Sequence, residues 1–284
     1  MNFHTAPHTY VSSVHIFVEN LERSYDFYTE IIGFKLLDKS ENQIRLSVDG
    51  NHPLLTIEQP DDVIAKEGRT TGLYHFAILL PNRSELAKAV LHLSKHQWPI
   101  GSSDHLVSEA IYLSDPDGNG IELYADRDPS KWQWQDQQIQ MTVDPLNFES
   151  LLSEANSEST WGGLPSKTLI GHIHLHVAHI EEAERFYRDA LGFDIVSRFG
   201  GQASFLSTGK YHHHIAINTW AGVGAARPAS NQVGLKHFTI NYPTEHKRKE
   251  AVNELRKLHF TVEESDGLLF TTDPSGNSII LAIN

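Results

Sequence analysis

The chain has 284 residues, which is long for one hydrophobic core, so two domains are expected. Its 23 basic against 36 acidic residues give a net charge of −13, which argues against nucleic acid or an anionic membrane surface as the main partner. There is no cysteine, which excludes disulfides, thiolate metal sites and a cysteine nucleophile. No apolar run approaches the ~18 residues of a membrane span, and the first residues lack a basic-then-apolar leader pattern, so a cytoplasmic protein is expected. Histidine is the anomaly, with 18 copies, several of them clustered.

Taken in order, the chain reads as a short strand around 11–18 and then a helix from about Leu21, where Leu21, Tyr25, Tyr28 and Ile32 recur at helical spacing. Gly33 fits the C-cap, and strands follow near 34–38, 43–48 and 54–58. The same sequence of elements returns: a strand at 73–80, a helix over 83–96, and strands near 98–100, 106–113 and 120–125. Residues 127–168 break the rhythm. Two tryptophans in a polar run suggest that this connector packs onto its neighbours, with a short helix from Asn147 to Ala155. The βαβββ pattern then runs twice more, from 169 to 217 and from 235 to 283.

Internal repeats support this division. Val14 to Phe34 aligns without a gap on Ile173 to Phe193, placing His15 on His174. Gly72 to Pro81 aligns on Gly234 to Pro243, placing His75 on His237. Asp115 to Glu122 aligns on Asp273 to Ile280, so the carboxylate of Glu122 survives in one half alone. The expected fold is α+β, with four βαβββ modules paired into two domains at 9–126 and 169–284 and the connector at 127–168 between them.

The run Asp115-Pro-Asp-Gly-Asn-Gly120 is a dense turn signal. Ile111 and Leu113 before it, with Ile121 and Leu123 after it, alternate as in a hairpin, leaving Tyr112 and Glu122 on the opposite face. A carboxylate facing into a fold must be paired, hydrogen-bonded or metal-bound; in isolation Glu122 would read as an edge residue in water. By the same alternation His15 opposes Val14 and Ile16, and His75 opposes Phe76 and Ile78. A lone histidine of this kind reads as a satisfied core residue. Two at equivalent repeat positions, joined by a carboxylate, read instead as a cup of two imidazoles and one carboxylate, the set that suits non-haem Fe(II) with open positions.

On these residues the chain resembles the vicinal oxygen chelate superfamily, and within it the two-domain extradiol ring-cleaving dioxygenases of the catechol 2,3-dioxygenase kind. The motif carrying the resemblance is His105, Ile111-Tyr112, Asp115-Pro116, Gly118 and Glu122. The resemblance implies a glyoxalase/extradiol-dioxygenase-like fold and metal ligands His15, His75 and Glu122, with His105 and Tyr112 as catalytic groups beside the substrate. It further implies Fe(II) as cofactor, with Mn(II) as the alternative. A small aromatic diol and dioxygen are the implied partners, and the resemblance allows a homo-oligomer.

Familiar members of the family keep the site in the C-terminal domain, and here the pattern departs. Tyr112, Glu122 and His105 correspond to Phe270, Ile280 and Glu263, so the site is expected in the first domain. His172, His174 and His176 alternate onto one face and, with His212 to His214, read as vestiges of a duplicated site, or else as a second, weaker metal site. Two other activities share the fold: a glyoxalase-like metal-dependent isomerase or transferase, and a non-catalytic small-molecule binding protein.

Overall fold

The computed structural model describes residues 2–155 and 160–283; residues 156–159 of the expected connector, together with Met1 and Asn284, lie outside the described residues. Four modules are present. Module 1 comprises strand β1 (Tyr10–Phe17), helix α1 (Leu21–Asp26) continued by a wider π turn over Phe27–Ile32, and strands β2 (Lys35–Lys39), β3 (Gln43–Ser47) and β4 (Pro53–Glu58). Module 2 comprises β5 (Gly72–Leu79), α2 (Arg83–Lys95), β6 (Gly101–Asp104), β7 (Ser108–Ser114) and β8 (Gly120–Asp126). The connector holds a two-strand ribbon, β9 (Trp134–Gln135) and β10 (Gln138–Ile139), and the short helix α3 (Phe148–Leu152). Module 3 comprises β11 (Leu169–His176), α4 (Ile180–Glu184) with a π turn over Arg185–Ala190, β12 (Asp194–Phe199), β13 (Ala203–Ser207) and β14 (Ile215–Asn218). Module 4 comprises β15 (Gly234–Tyr242), α5 (Glu245–Lys257), β16 (Val262–Ser265), β17 (Leu268–Thr272) and β18 (Ser278–Ile283).

The helix boundaries follow local chemistry. Asn20 and Asn82 cap α1 and α2 by accepting from the backbone N–H three residues on, and Gly33 ends the first helix in the left-handed conformation at φ 95°. One strand differs from expectation. The residues near 98–100 are irregular, and β6 starts at Gly101, because Pro99 has no N–H to give a ladder.

The modules pair across the halves of the chain, not within them. One eight-stranded sheet runs β16-β17-β18-β15-β1-β4-β3-β2, joining modules 1 and 4; the other runs β12-β13-β14-β11-β5-β8-β7-β6, joining modules 2 and 3. At the centre of each, two repeat-equivalent strands lie antiparallel, with His15 opposite His237 in one sheet and His75 opposite His174 in the other. This differs from the within-half pairing expected from the sequence. The hydrophobic pattern specifies which face of each module is buried, but all four modules carry nearly the same pattern and leave the choice of partner open.

Modules 1 and 2 still touch, through the Asp-Pro turn. Tyr28 of the first helix donates its hydroxyl to Asp115 at 2.9 Å, and Tyr187 donates to Asp273 at the same distance in the other half. Asp115 also accepts from the N–H groups of Asp117 and Asn119, so this carboxylate builds the turn and does not serve the site. Apolar faces hold each sheet on its helices: Val14, Ile16, Phe76, Ile78, Ile173 and Phe238 are fully buried. Emptying one such position, as in Phe76→Ala, typically costs ~3–5 kcal/mol, so the polar faces are left free for chemistry.

Candidate active site

The hairpin of β7 and β8 sets Tyr112 directly opposite Glu122, with Leu113 opposite Ile121 and Ile111 opposite Leu123. Glu122 is buried, at 2% exposure. Beside it, β5 brings His75 and β11 brings His172. His172 Nε2 lies 3.1 Å and His75 Nε2 3.0 Å from the same carboxylate oxygen, Oε2. One potential ligand atom from each of the three residues lies within 4.8 Å of the other two.

His15 does not join them. It lies in the other sheet, its ring 4.7 Å from that of His237 and its Nε2 2.9 Å from Glu58. Lys236 already holds Glu58 through both carboxylate oxygens, at 2.8 and 3.0 Å. The structure therefore does not bring His15 together with His75 and Glu122; it brings His172 to them instead, because β1 pairs with β15 and leaves β5 to pair with β11. His172 had read as a vestige or as part of a second site. Its signal was the alternation of His172, His174 and His176 on one strand face, which is ambiguous until the partner strand is known.

Of those three, geometry selects His172. Asn218 donates its amide to His174 Nε2 at 2.9 Å and accepts from His176 Nδ1 at 2.7 Å, tying one nitrogen of each ring, whereas His172 Nε2 lies on Glu122. Gly171 keeps the strand close to module 2: a Cβ there would lie 1.8 Å from the Tyr124 hydroxyl.

The electrostatics suit a cation. Burial pushes the Glu122 carboxyl up, but His172 and His75 outweigh it and hold the group well below the usual carboxylate range. Burial lowers His172 to about 4 against the partly offsetting pull of Glu122, so near pH 7 the imidazole is neutral with lone pairs to offer. His75 Nε2 is a buried ring nitrogen without a well-aligned hydrogen bond. A neutral imidazole at His172, an ionised carboxylate at Glu122 and the orphaned buried nitrogen of His75 together fit a divalent metal.

Tyr112 and His105 complete the pocket. His105 follows β6 and so leaves the regular ladder, with Leu106 at φ 66° turning the chain towards β7. Its Nδ1 lies 2.6 Å from the carbonyl of Thr142 in the connector, and its Nε2 lies 2.6 Å from the Tyr112 hydroxyl. A carbonyl can only accept, so Nδ1 carries the proton; in the neutral imidazole Nε2 then accepts from Tyr112. The tyrosine oxygen is left with lone pairs for a ligand. Burial, with Glu122 and Tyr74 beside it, raises the Tyr112 phenol well above its usual value, so it stays protonated. His213 lines the same cavity, its ring 4.1 Å from that of His172, and burial holds it well below the usual histidine range.

This fold and site define a class. Residues 6–123 and 169–281 match the model of the Glyoxalase/Bleomycin resistance protein/Dioxygenase superfamily, and the chain belongs to it. Within that family it is 44% identical over 275 residues to Catechol-2,3-dioxygenase of Bacillus subtilis (strain 168), covering 96% of each chain. The chain is a catechol 2,3-dioxygenase-like oxidoreductase. Lactoylglutathione lyase of Escherichia coli O157:H7 is 28% identical over 129 residues, 40% of this chain and 90% of that one. Among solved structures, a putative dioxygenase from Bacillus subtilis shares the fold at TM-score 0.69 and 12% identity, covering 96% of this chain and 84% of that one. Glyoxalase I from Zea mays does so at TM-score 0.56 and 16% identity, covering 96% and 92%. Among the described residues no helix is long and apolar enough to cross a membrane.

Proposed function

We propose that the protein is an extradiol ring-cleaving dioxygenase that opens a catechol-type aromatic diol at an Fe(II) held by His75, His172 and Glu122. The observation that carries this reading is the convergence of two Nε2 atoms and one carboxylate oxygen in a buried pocket that also presents Tyr112 and His105. The full-length likeness to a catechol-2,3-dioxygenase supports the choice of substrate class. A ferrous ion bound there would supply Lewis acidity towards the diol oxygens and the redox chemistry that admits dioxygen.

The chain's own groups do the rest. Tyr112 receives a hydrogen bond from a diol hydroxyl on its free lone pairs and holds the ring in place. Its own proton points at His105, which the Thr142 carbonyl keeps in one tautomer. His213, on the module 3 side of the cavity and held neutral by burial, can take a proton during the reaction. A positioned acid–base group of this kind typically contributes roughly 10²–10⁴-fold. Both atoms of dioxygen enter the product, a muconic semialdehyde, so no outside reductant is needed. The test is anaerobic reconstitution with Fe(II), then oxygen uptake with catechol while the ring-opened product is followed by its absorbance. Failure of iron-loaded protein to consume oxygen with any catechol would overturn the reading.

A further inference from the structure

The cavity that holds the three ligand residues is larger than a single ring requires. It encloses about 470 Å³, while an apolar cavity of roughly 150 Å³ suffices for benzene. The surplus is lined by Met141 and Val143 of the connector and by Phe199, Phe205 and Trp220 of module 3. Three of these are large apolar groups left open to solvent: Val143 is 72% exposed, Phe199 59% and Trp220 38%. Tyr74 extends the aromatic surface, its ring 5.3 Å from Trp220 and edge-on to it. Exposed apolar surface gathered at the mouth of a pocket marks a place where a ligand covers it.

Charge narrows the ligand further. Among the lining residues the one arginine or lysine is Arg198, and its guanidinium is already tied to Glu184 at 2.8 and 3.1 Å. Ser204 donates to the same carboxylate, fixing it in place. Among the described residues no other lysine or arginine lines this cavity to meet a carboxylate, while Glu122 lines it and the whole chain carries −13. An anionic substituent would enter against repulsion and find no partner.

We infer that the substrate is a catechol bearing an uncharged apolar substituent, aryl or alkyl, which packs against Val143, Phe199 and Trp220; neither unsubstituted catechol nor a dihydroxybenzoate is the preferred ligand. This rests on the ring-cleaving reading above. It also gives the connector a second task beyond holding His105, since one wall of the substituent pocket belongs to it.

The test is anaerobic titration of the iron-loaded protein with catechol, 3-phenylcatechol, 4-phenylcatechol and 3,4-dihydroxybenzoate, read by calorimetry and by Trp fluorescence. Covering one aromatic substituent in this pocket should tighten binding of at least one phenylcatechol about 10- to 100-fold over catechol, with dihydroxybenzoate the weakest. Phe199→Ser, a change at a surface-exposed side chain, should shrink the ratio of phenylcatechol to catechol affinity several-fold. A ranking led by dihydroxybenzoate, or phenylcatechols no tighter than catechol, overturns this inference alone. No binding of any catechol would overturn both it and the reading on which it rests.

Discussion

His172 and Glu122 belong to different halves of the chain, yet His172 Nε2 lies 3.1 Å from the Glu122 carboxylate in a buried cup. The site is thus assembled only when module 3 docks on module 2. Replacing Glu122 by Gln keeps the shape and removes the charge, so metal affinity should fall at least 10- to 100-fold. His172→Ala should have a similar effect by removing a ligand. Metal content after dialysis, measured by elemental analysis, checks both. Retention of a full equivalent of iron by His172→Ala would return the site to another set of ligands.

The second cup leads to the opposite expectation. In the sheet of modules 1 and 4, the positions equivalent to His172, His75 and Glu122 are Ser13, His237 and Ile280. Ser13 is engaged with Thr239, and Lys236 already neutralises Glu58 beside His15. A divalent ion there would meet the imidazoles of His15 and His237, but beside an ammonium group and with the nearby carboxylate of Glu58 already neutralised. His15→Ala and His237→Ala should therefore keep about one iron per chain. His15→Ala should also lower stability by ~1–3 kcal/mol in denaturant titrations, since it strips a buried polar partner from Glu58. Loss of iron in the His15 variant would reinstate the ligand set expected from the sequence.

Tyr112 and His105 should act on turnover without touching metal content. Tyr112→Phe removes the acceptor oxygen but leaves Nδ1 of His105 on the Thr142 carbonyl, so kcat should drop roughly 10²–10⁴-fold at unchanged iron content. Long-range proton–nitrogen spectra of histidine-labelled, zinc-loaded protein should show His105 protonated at Nδ1 both with and without Tyr112. A switch to the Nε2 tautomer in the variant would mean that the tyrosine, and not the connector, sets the ring's polarity.

How much of this could be read from residues alone follows from what periodicity encodes. The alternation of Ile111, Leu113, Ile121 and Leu123 identified the hairpin and the shared face of Tyr112 and Glu122, because side-chain direction in a strand is a local property. The gapless repeat identified four modules for the same reason. Pairing is not local. Modules 1 and 3 present nearly equivalent strands to module 2, and His15 and His174 align, so the sequence offered no reason to choose between them. Even with the partner known, alignment would have nominated His174; its engagement by Asn218, which hands the task to His172, is visible only in three dimensions. The connector's carbonyl on His105 was likewise invisible, since a backbone group leaves no trace in side-chain pattern.

Stability should depend on pH through histidines buried in the neutral form. Burial lowers His4 to about 4, and burial with Lys236 nearby lowers His237 to about 4; burial, with His4 beside it, holds His214 well below the usual range. In the unfolded chain each titrates near 6.5. As pH falls below about 6.5 the unfolded state takes up protons that the folded state refuses, so stability falls with pH, by up to ~1.4 kcal/mol per pH unit for each such group. The loss should run from about 6.5 to about 4, where His4 and His237 protonate in the folded state as well, and the full contribution is present above 6.5. Asp115 and Asp273, raised chiefly by burial, work in the other direction. The fall in stability below pH 6.5 is the histidines' contribution. Denaturant midpoints of metal-free protein should hold steady from pH 8 to 7 and drop by several kcal/mol between 6.5 and 5. His4→Leu should flatten that slope by about one proton's worth, although the variant starts lower at neutral pH because the Gly171 carbonyl loses its 2.8 Å partner. A midpoint unchanged between pH 7 and 5 would mean that these histidines keep ordinary affinities for protons in the folded protein.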